Sequence, residues 1–262
     1  MPKEMYVNNA TQRFSSRVEN YIKYRPHYPQ AVIDYLRDNC QLTPASIVAD
    51  IGSGTGISSQ LFLQNGNLVY GIEPNREMRE AGERLLKRYK NFKSIDGVAE
   101  ATTLANASVD LIVAGQAFHW FDREKAKIEF ARILKPQGWV VLIWNDRRTN
   151  STPFLIAYEQ LLQTYGTDYG RVNHKQIDKT IIESFFGTAG YQQTSFDNYQ
   201  NFDFDSLKGR LLSSSYTPEV GHQNYEAMLS ELRKIFDTYQ VNGNVVFEYD
   251  TRVYCGHLNS EL

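Results

Sequence analysis

Short apolar runs recur along the first half of the chain, each ending where polar or small residues take over. Ser46-Ile47-Val48-Ala49-Asp50-Ile51 stops at a glycine cluster. Leu68-Val69-Tyr70-Gly71-Ile72, Val109-Asp110-Leu111-Ile112-Val113-Ala114 and Trp139-Val140-Val141-Leu142-Ile143-Trp144 repeat that texture. Runs of this kind, rich in β-branched residues, fit strands buried on both faces. Between them the apolar positions recur at helical spacing. Asn75 can cap a helix that places Met78, Ala81 or Gly82, Leu85 and Tyr89 on one face. Asp122 can cap another that carries Ala126, Phe130, Ile133 and Leu134 before Pro136 and Gly138 end it. Strands separated by helices predict βαβ units with right-handed crossovers. The expected fold class is therefore α/β, with a mostly parallel, doubly wound sheet covered on both faces.

The ends have a different texture. Phe14 to Leu42 reads as helix interrupted by Pro26 and Pro29. After Trp144, helical stretches at Phe154 to Tyr165 and Gln176 to Phe186 precede an alternating, aromatic-rich run from Tyr191 to Phe204. A further helix is expected at Tyr225 to Tyr239 and a last strand from Val245 to Tyr254. Two late strands with helices between them would extend the sheet and set a helical cap beside it. The chain thus reads as one domain over 1–262. Its parts are N-terminal helices at 14–42, a ligand-binding core at 46–146, and the cap helices with the last two strands at 147–262.

A chain of 262 residues can build a sizeable core, since a domain near this size buries about three quarters of its unfolded surface. The 28 Lys and Arg against 30 Asp and Glu give a net charge of −2, which argues against a dedicated nucleic-acid binder. The sequence holds no apolar run long enough for a membrane span, and Met1 to Ala10 is polar. Neither nucleic acid nor membrane is expected as a partner, and the expected location is cytoplasmic. Two cysteines, Cys40 and Cys255, stand far apart and make neither a disulfide framework nor a cysteine zinc site. His27, His174, His222 and His257 form no pair at metal-ligand spacing, so no metal is expected.

The richest stretch chemically is Asp50-Ile51-Gly52-Ser53-Gly54-Thr55-Gly56, between an expected strand and an expected helix. Glycines there permit backbone dihedrals closed to other residues and let a ligand approach the main chain. Glu73 ends the next strand, where a carboxylate can accept from the two hydroxyls of a ribose. A nicotinamide dinucleotide fingerprint would need a third glycine at residue 57 or 59, which are Ile57 and Ser59. Asp50 would repel a pyrophosphate but suits a ligand that carries an amine and a sulfonium.

Further stretches join the glycine turn and Glu73. They are Tyr24-Arg25-Pro26 with Tyr28-Pro29, Gly71-Ile72-Glu73-Pro74-Asn75 with Met78, and Gly97-Val98-Ala99-Glu100. Gln116-Ala117-Phe118-His119-Trp120-Phe121-Asp122 and Leu134-Lys135-Pro136-Gln137-Gly138 complete the set. In this order the set resembles the class I S-adenosylmethionine-dependent methyltransferases, in particular the small-molecule branch of type 11 and trans-aconitate methyltransferases. The likeness covers roughly Tyr21 to Trp144. It implies a Rossmann-like fold with N-terminal lid helices, S-adenosyl-L-methionine as cofactor, S-adenosyl-L-homocysteine as product and a small-molecule acceptor.

By the same resemblance, Gly52, Ser53, Gly54 and Gly56 form the turn beside the methionine part, and Asp50 supports its amine directly or through water. Glu73 holds the ribose, Pro74 and Met78 pack on the adenine, and Ala99 and Glu100 meet its polar edge. Gln116 lies under the methionine or ribose, and Tyr24 belongs to the lid. Many relatives carry an acid where this chain has Val98, so Glu100 or the backbone would take that contact.

Methyl transfer from a sulfonium is an in-line displacement that needs alignment and a dry pocket, and a base only where the acceptor must lose a proton. His119, flanked by aromatics, is the candidate base, with Tyr24 and Arg25 as further catalytic candidates; a loop-ordering His119 is the alternative. A polycarboxylate acceptor, which the trans-aconitate branch implies, would be held by arginine forks, for which Arg25, Arg147 and Arg148 are available. The late aromatics Tyr158, Tyr165, Tyr169, Phe185, Phe186 and Tyr216 suit a flat acceptor or cap packing equally. A non-catalytic S-adenosylmethionine-binding protein and an NAD-dependent oxidoreductase are the alternatives for the whole chain.

Overall fold

The computed structural model describes residues 18–167, 169–172 and 179–258. The expected helix starts at 14–17 and 176–178, the polar stretch 1–10 and His174 lie outside the described residues.

Seven strands form one sheet in the order β3-β2-β1-β4-β5-β7-β6. They are β1 (Ile47–Ile51), β2 (Leu68–Ile72), β3 (Phe92–Ile95), β4 (Val109–Gly115), β5 (Leu134–Arg147), β6 (Gln192–Phe202) and β7 (Val245–Gly256). The first five pair in parallel, while β7 runs antiparallel to both β5 and β6. From β1 the chain builds outward through β2 to β3, then returns to place β4 on the other side of β1. The strand order therefore reverses between β1 and β4, which is where an open α/β sheet leaves a crevice at its carboxyl ends.

The continuous apolar runs have a direct cause. Along β1 and β4 successive side chains point to opposite faces, and both faces are covered. Ala49, Ile112 and Ala114 meet α5 (Arg123–Ile133) and α7 (Lys179–Phe186), through Phe130, Ile133, Phe185 and Phe186. Val48, Leu111 and Val113 meet α2 (Ala31–Asn39) and α3 (Ile57–Gln64), through Ile33, Leu36 and Phe62. A third apolar cluster lies at the far ends of β6 and β7. There α6 (Pro153–Tyr165), α8 (Phe204–Leu212) and α9 (Tyr225–Tyr239) pack Leu161, Leu211 and Leu232 around Phe247. This is the expected cap.

Several local expectations are corrected. Strand β3 was not expected, because Phe92-Lys93-Ser94-Ile95 is short, half polar and at the sheet edge. Helix α8 was also missed, although Asp203 caps it by accepting from the Ser206 N–H at 2.8 Å. In α4 (Arg76–Leu86) the buried face is Met78, Ala81, Gly82 and Leu86, while Leu85 is 46% exposed. Asn75 does cap that helix, accepting from the Met78 N–H at 2.8 Å. Asp122 makes no side-chain capping bond, and α5 ends at Ile133. Leu134 belongs to β5, opposite Val109, so the chain passes from helix to strand without a loop.

The described N-terminal helix α1 (Val18–Tyr24) packs against α4 and α8. It thereby crosses the carboxyl end of the sheet from the core to the cap.

Candidate functional site

At the end of β1 the chain turns sharply through three glycines in the left-handed region, with φ of +70° at Gly52, +55° at Gly54 and +87° at Gly56. Close packing also demands glycine at two of them. A Cβ on Gly52 would stand 2.6 Å from the Ala117 Cβ, and one on Gly56 would stand 2.5 Å from a Leu86 methyl. The turn is tied to β2 through its backbone, since Gly52 and Ser53 N–H both donate to the Ile72 carbonyl.

Glu73 follows β2 and is buried, with 8% of its surface exposed. Its Oε2 accepts from the Gly54 N–H and its Oε1 from the Asn75 N–H, each at 2.8 Å. Burial raises its pKa above the ordinary carboxylate value, opposed by these two backbone donors. Each oxygen keeps lone-pair capacity for a further donor. Pro74, Met78, Ala99, Glu100 and Gln116 share a cavity with Glu73, closed by Val98, Trp120, Phe121 and Tyr21. Glu100 is fixed there by accepting from the Asp122 N–H at 2.7 Å.

Asp50 lies behind the turn and lines neither cavity described here. It is fully buried. Its Oδ2 accepts from Ser58 Oγ at 2.7 Å and Ser59 Oγ at 2.6 Å, at the start of α3. Its Oδ1 is buried without a hydrogen-bond partner. Burial pushes its pKa up to about 6, against the pull of the two serines.

A second cavity shares Tyr21, Gly52, Gly54, Gly115 and Gln116 with the first. It runs on past Ser53 and Tyr28 to Asn145, Tyr216 and three arginines, Arg25, Arg147 and Arg210. Among its described lining residues there is no Asp, Glu, His or Lys. Gln116 sits at the junction with φ +59°, a conformation that costs a non-glycine residue. Its Nε2 donates to the Asn145 carbonyl at 3.2 Å.

The arginines are held differently. Arg25 lies over the Tyr21 ring at 4.8 Å and donates from Nη2 to the Ser213 carbonyl at 2.9 Å, while its Nε is buried without a partner. Burial and the neighbouring Arg210 both lower its pKa. Arg210, 6% exposed, donates from Nε to the Tyr249 hydroxyl at 3.3 Å and from Nη1 to Ser214 Oγ at 3.2 Å. Arg147 pairs with Glu159 and stacks on Tyr158 at 4.9 Å. Two buried guanidiniums side by side, facing a cavity without carboxylates, leave positive charge for a ligand to neutralise.

Most of the expected residues come together. Gly52, Gly54, Glu73, Pro74, Met78, Ala99, Glu100 and Gln116 line the first cavity, Ser53 and Arg25 the second, and Gly56 supports the turn from behind. Besides Asp50 behind the turn, three candidates fall elsewhere. Tyr24 lines neither cavity; its ring occupies the space above Gly209 on α8, where an added Cβ would meet it at 2.0 Å. His119 is also absent from both walls, and its ring lies 4.8 Å from Trp120, which does line the first cavity. Arg148 turns to the sheet edge and pairs with Asp250 at 2.7 Å and with Asp197. Arg210 was missed because α8 was missed; its spacing from Leu207 and Leu211 after the Asp203 cap was the available signal. Among the described residues no group of His, Cys, Asp and Glu could hold a metal ion, and no helix is long and apolar enough to cross a membrane.

Comparison with known proteins places these features in context. Residues 49–142 match a family described as a methyltransferase domain. Over 245 residues the chain is 31% identical to an uncharacterised methyltransferase-like protein of Schizosaccharomyces pombe, covering 92% of this chain and 93% of that one. An uncharacterised methyltransferase of Mycobacterium tuberculosis is 29% identical over 233 residues, covering 88% of each chain. The fold is similar to that of a candidate type II methyltransferase from Anaeromyxobacter dehalogenans, with a TM-score of 0.65 at 19% identity over 89% of this chain and 98% of that one.

Proposed function

Because the chain belongs to the methyltransferase family, we propose that it transfers a methyl group from S-adenosylmethionine to a small acidic acceptor. One observation carries this reading. Two cavities meet at Gly52, Gly54 and Gln116, one walled by Glu73 and apolar side chains, the other by three arginines.

The first cavity fits the cofactor. Glu73 offers oxygens for two ribose hydroxyls, Pro74, Met78 and Ala99 offer apolar faces for the adenine, and Glu100 offers its polar edge. The glycine turn admits the methionine part because a Cβ on Gly52 or Gly54 would already be in contact with Ala117 or Met78. The Asp50 Oδ1, buried without a hydrogen-bond partner behind that turn, suits an ammonium group reached through water. When bound, the cofactor supplies a methyl group already activated by its sulfonium charge.

The chain's own work is alignment and exclusion of water. Tyr21 and Gln116 belong to both walls and hold the junction. Arg25, Arg147 and Arg210 bind and orient the acceptor's acidic groups. No side chain among the described lining residues of the second cavity is a good proton acceptor at neutral pH, and His119 lies outside both walls. The nucleophile must then arrive already deprotonated, as a carboxylate oxygen does at pH 7. The catalytic roles considered for His119 and Tyr24 therefore give way to support of the walls, while Arg25 keeps a role in binding the acceptor.

Calorimetric titration with S-adenosylmethionine, S-adenosylhomocysteine and NAD in parallel tests the cofactor. Micromolar binding of the first two is expected, weakened about 10- to 100-fold by Glu73→Gln, the worth of hydrogen bonds to a charged group. Binding of NAD alone would overturn it. A panel of di- and tricarboxylates, phenols and quinones then tests the acceptor, with Arg210→Met expected to raise KM for the acids. Turnover confined to neutral acceptors would refute the acidic reading, and cofactor binding with no turnover across the panel would favour the non-catalytic alternative.

A further inference from the structure

Between α1 and α2 the chain runs through Pro26 and Pro29, whose rings fix φ and stiffen the segment around Tyr28. The fold pins the same segment from outside. Asn145 Nδ2, on β5, donates to the Pro26 and His27 carbonyls at 3.4 Å each, and Asn198 Nδ2, on β6, donates to the His27 carbonyl at 2.7 Å. Tyr28 is thereby set in the wall of the second cavity, with 9% of its surface exposed. Its hydroxyl lies over Gly115, the last residue of β4, which lines both cavities. Gly115 is not in the left-handed region, so its backbone does not call for glycine. Room does: an added Cβ would stand 2.7 Å from the Tyr28 hydroxyl and 3.1 Å from the Ser58 Cβ.

Two polar neighbours of Gly115 are already engaged. Gln116 Nε2 donates to the Asn145 carbonyl, and Ser58 Oγ donates to Asp50. The Tyr28 hydroxyl makes no hydrogen bond to another of the described residues. Burial, then Tyr21 and Asp50, push its pKa well above the ordinary phenol value against the pull of Arg25, so it keeps its proton at neutral pH. A neutral O–H donor thus faces the cavity where it meets the first, while the positive charge of that cavity comes from Arg25, Arg147 and Arg210. The difference suits a reacting carboxylate. A cation held against it would stabilise the free anion more than the transition state, in which that charge is disappearing. A phenol still fixes the rotation of the group, at a smaller loss of nucleophilicity.

We propose that the Tyr28 hydroxyl selects which acidic group of the acceptor reacts, by donating a hydrogen bond to one oxygen of that carboxylate while the other oxygen takes the methyl group. This role rests on the acidic acceptor proposed above and adds to it the residue that sets regiospecificity. The second oxygen forms the new O–C bond with its own lone pair as the S–C bond breaks, and the electron pair of the broken bond stays on sulfur. The sulfonium becomes a neutral thioether and the carboxylate a neutral methyl ester. No proton moves, and Tyr28 keeps its own.

Tyr28→Phe removes the hydroxyl and keeps the ring. Calorimetry with 2-methylsuccinate and with propane-1,2,3-tricarboxylate, each in the presence of S-adenosylhomocysteine, reads the effect on binding. The variant is expected to keep its Tm and its affinity for S-adenosylhomocysteine, and to bind the acid about 10- to 100-fold more weakly, as for one hydrogen bond lost to a charged group. Both acids carry non-equivalent carboxylates, so the methyl esters formed with S-adenosylmethionine report which group was presented. A single ester from the unsubstituted chain and a mixture from the variant are expected. Equal acid affinity in the two proteins, the same single ester from both, or a mixture already from the unsubstituted chain would overturn the role of Tyr28 and leave the acidic acceptor standing. Binding of neither acid to the unsubstituted chain would overturn both. Where an acid binds without turnover, the two affinities decide.

Discussion

Asp50 is a fully buried carboxylate, and its charge has a cost that depends on pH. In the unfolded chain it would titrate near 3.8, in the fold at about 6. Between those values the folded state holds a proton that the unfolded state has released, so stability falls as pH rises through that window and is level above it. A shift of this size corresponds to at most about 3 kcal/mol for a fully buried group. Asp50→Asn, which keeps an oxygen for Ser58 and Ser59, is expected to be more stable at pH 7.5 by about 1–3 kcal/mol, with a smaller change at pH 4. Chemical denaturation at the two pH values checks this. An equal change at both would show that the ionised carboxylate carries no such cost. The same substitution should weaken S-adenosylmethionine if Asp50 supports the cofactor's ammonium group as proposed. The glycine turn, Glu73, Pro74 and Met78 were legible as residues because backbone freedom, a strand-end acid and apolar neighbours are local properties. The two serines that hold Asp50 were not, since nothing in Ser58-Ser59 separates a helix start from a carboxylate's partners.

At the scale of elements, the contact between α1 and α8 carries the most consequence. Tyr24 rests on Gly209, and the Tyr24 carbonyl accepts from Gln200 Nε2 at 3.2 Å. The neighbouring carbonyl of His27 accepts from Asn198 Nδ2 at 2.7 Å. The segment that carries Arg25 is thus held from the cap side by its backbone and by one aromatic ring. Gly209→Ala should favour helix α8 by up to about 1 kcal/mol in propensity alone. The added methyl would nevertheless collide with the ring. Faster amide hydrogen exchange over Val18–Tyr24 is expected, with β4 and β5 unchanged; equal protection in the variant would show that Tyr24 does not anchor α1. Elements with strong local patterns were legible, among them β1, β4, α6, α9 and β7. Strand β3 escaped because an edge strand needs little apolar character, and α8 because its run is short and begins beside an alternating segment. The rotation of α4, which buries Leu86 and exposes Leu85, depends on where Gly56 comes to rest.

For the whole molecule, the two cavities differ in how far their walls come from along the chain. The first is made mainly by the turns after β1, β2 and β4 and the loop before β4, with Tyr21 of α1 closing it. The second needs the N-terminal segment for Arg25, β5 for Arg147 and the cap for Arg210. Ligands of the two should therefore stabilise separably. A cofactor present at a hundred times its Kd adds about 2.7 kcal/mol to stability, and for a domain of this size that raises Tm by roughly 5–10 °C. Arg210→Met should keep that rise with S-adenosylmethionine and lose any further rise that a tricarboxylate adds. Thermal melts with each ligand and with both would show it, and loss of the cofactor's rise in this variant would mean that the two sites are not separable.

The sequence alone determined the α/β class, the parallel core with its two late strands, the glycine turn and its acid, because each is written in neighbouring residues or in a short period. The acceptor side was decided by tertiary structure. Three arginines from distant segments become one cavity only after the sheet has fixed their positions, and the same packing removes His119, Tyr24 and Arg148 from the walls. Local pattern reports which face of an element is apolar. It carries no information about which polar side chains from remote elements will face one another once those faces are buried.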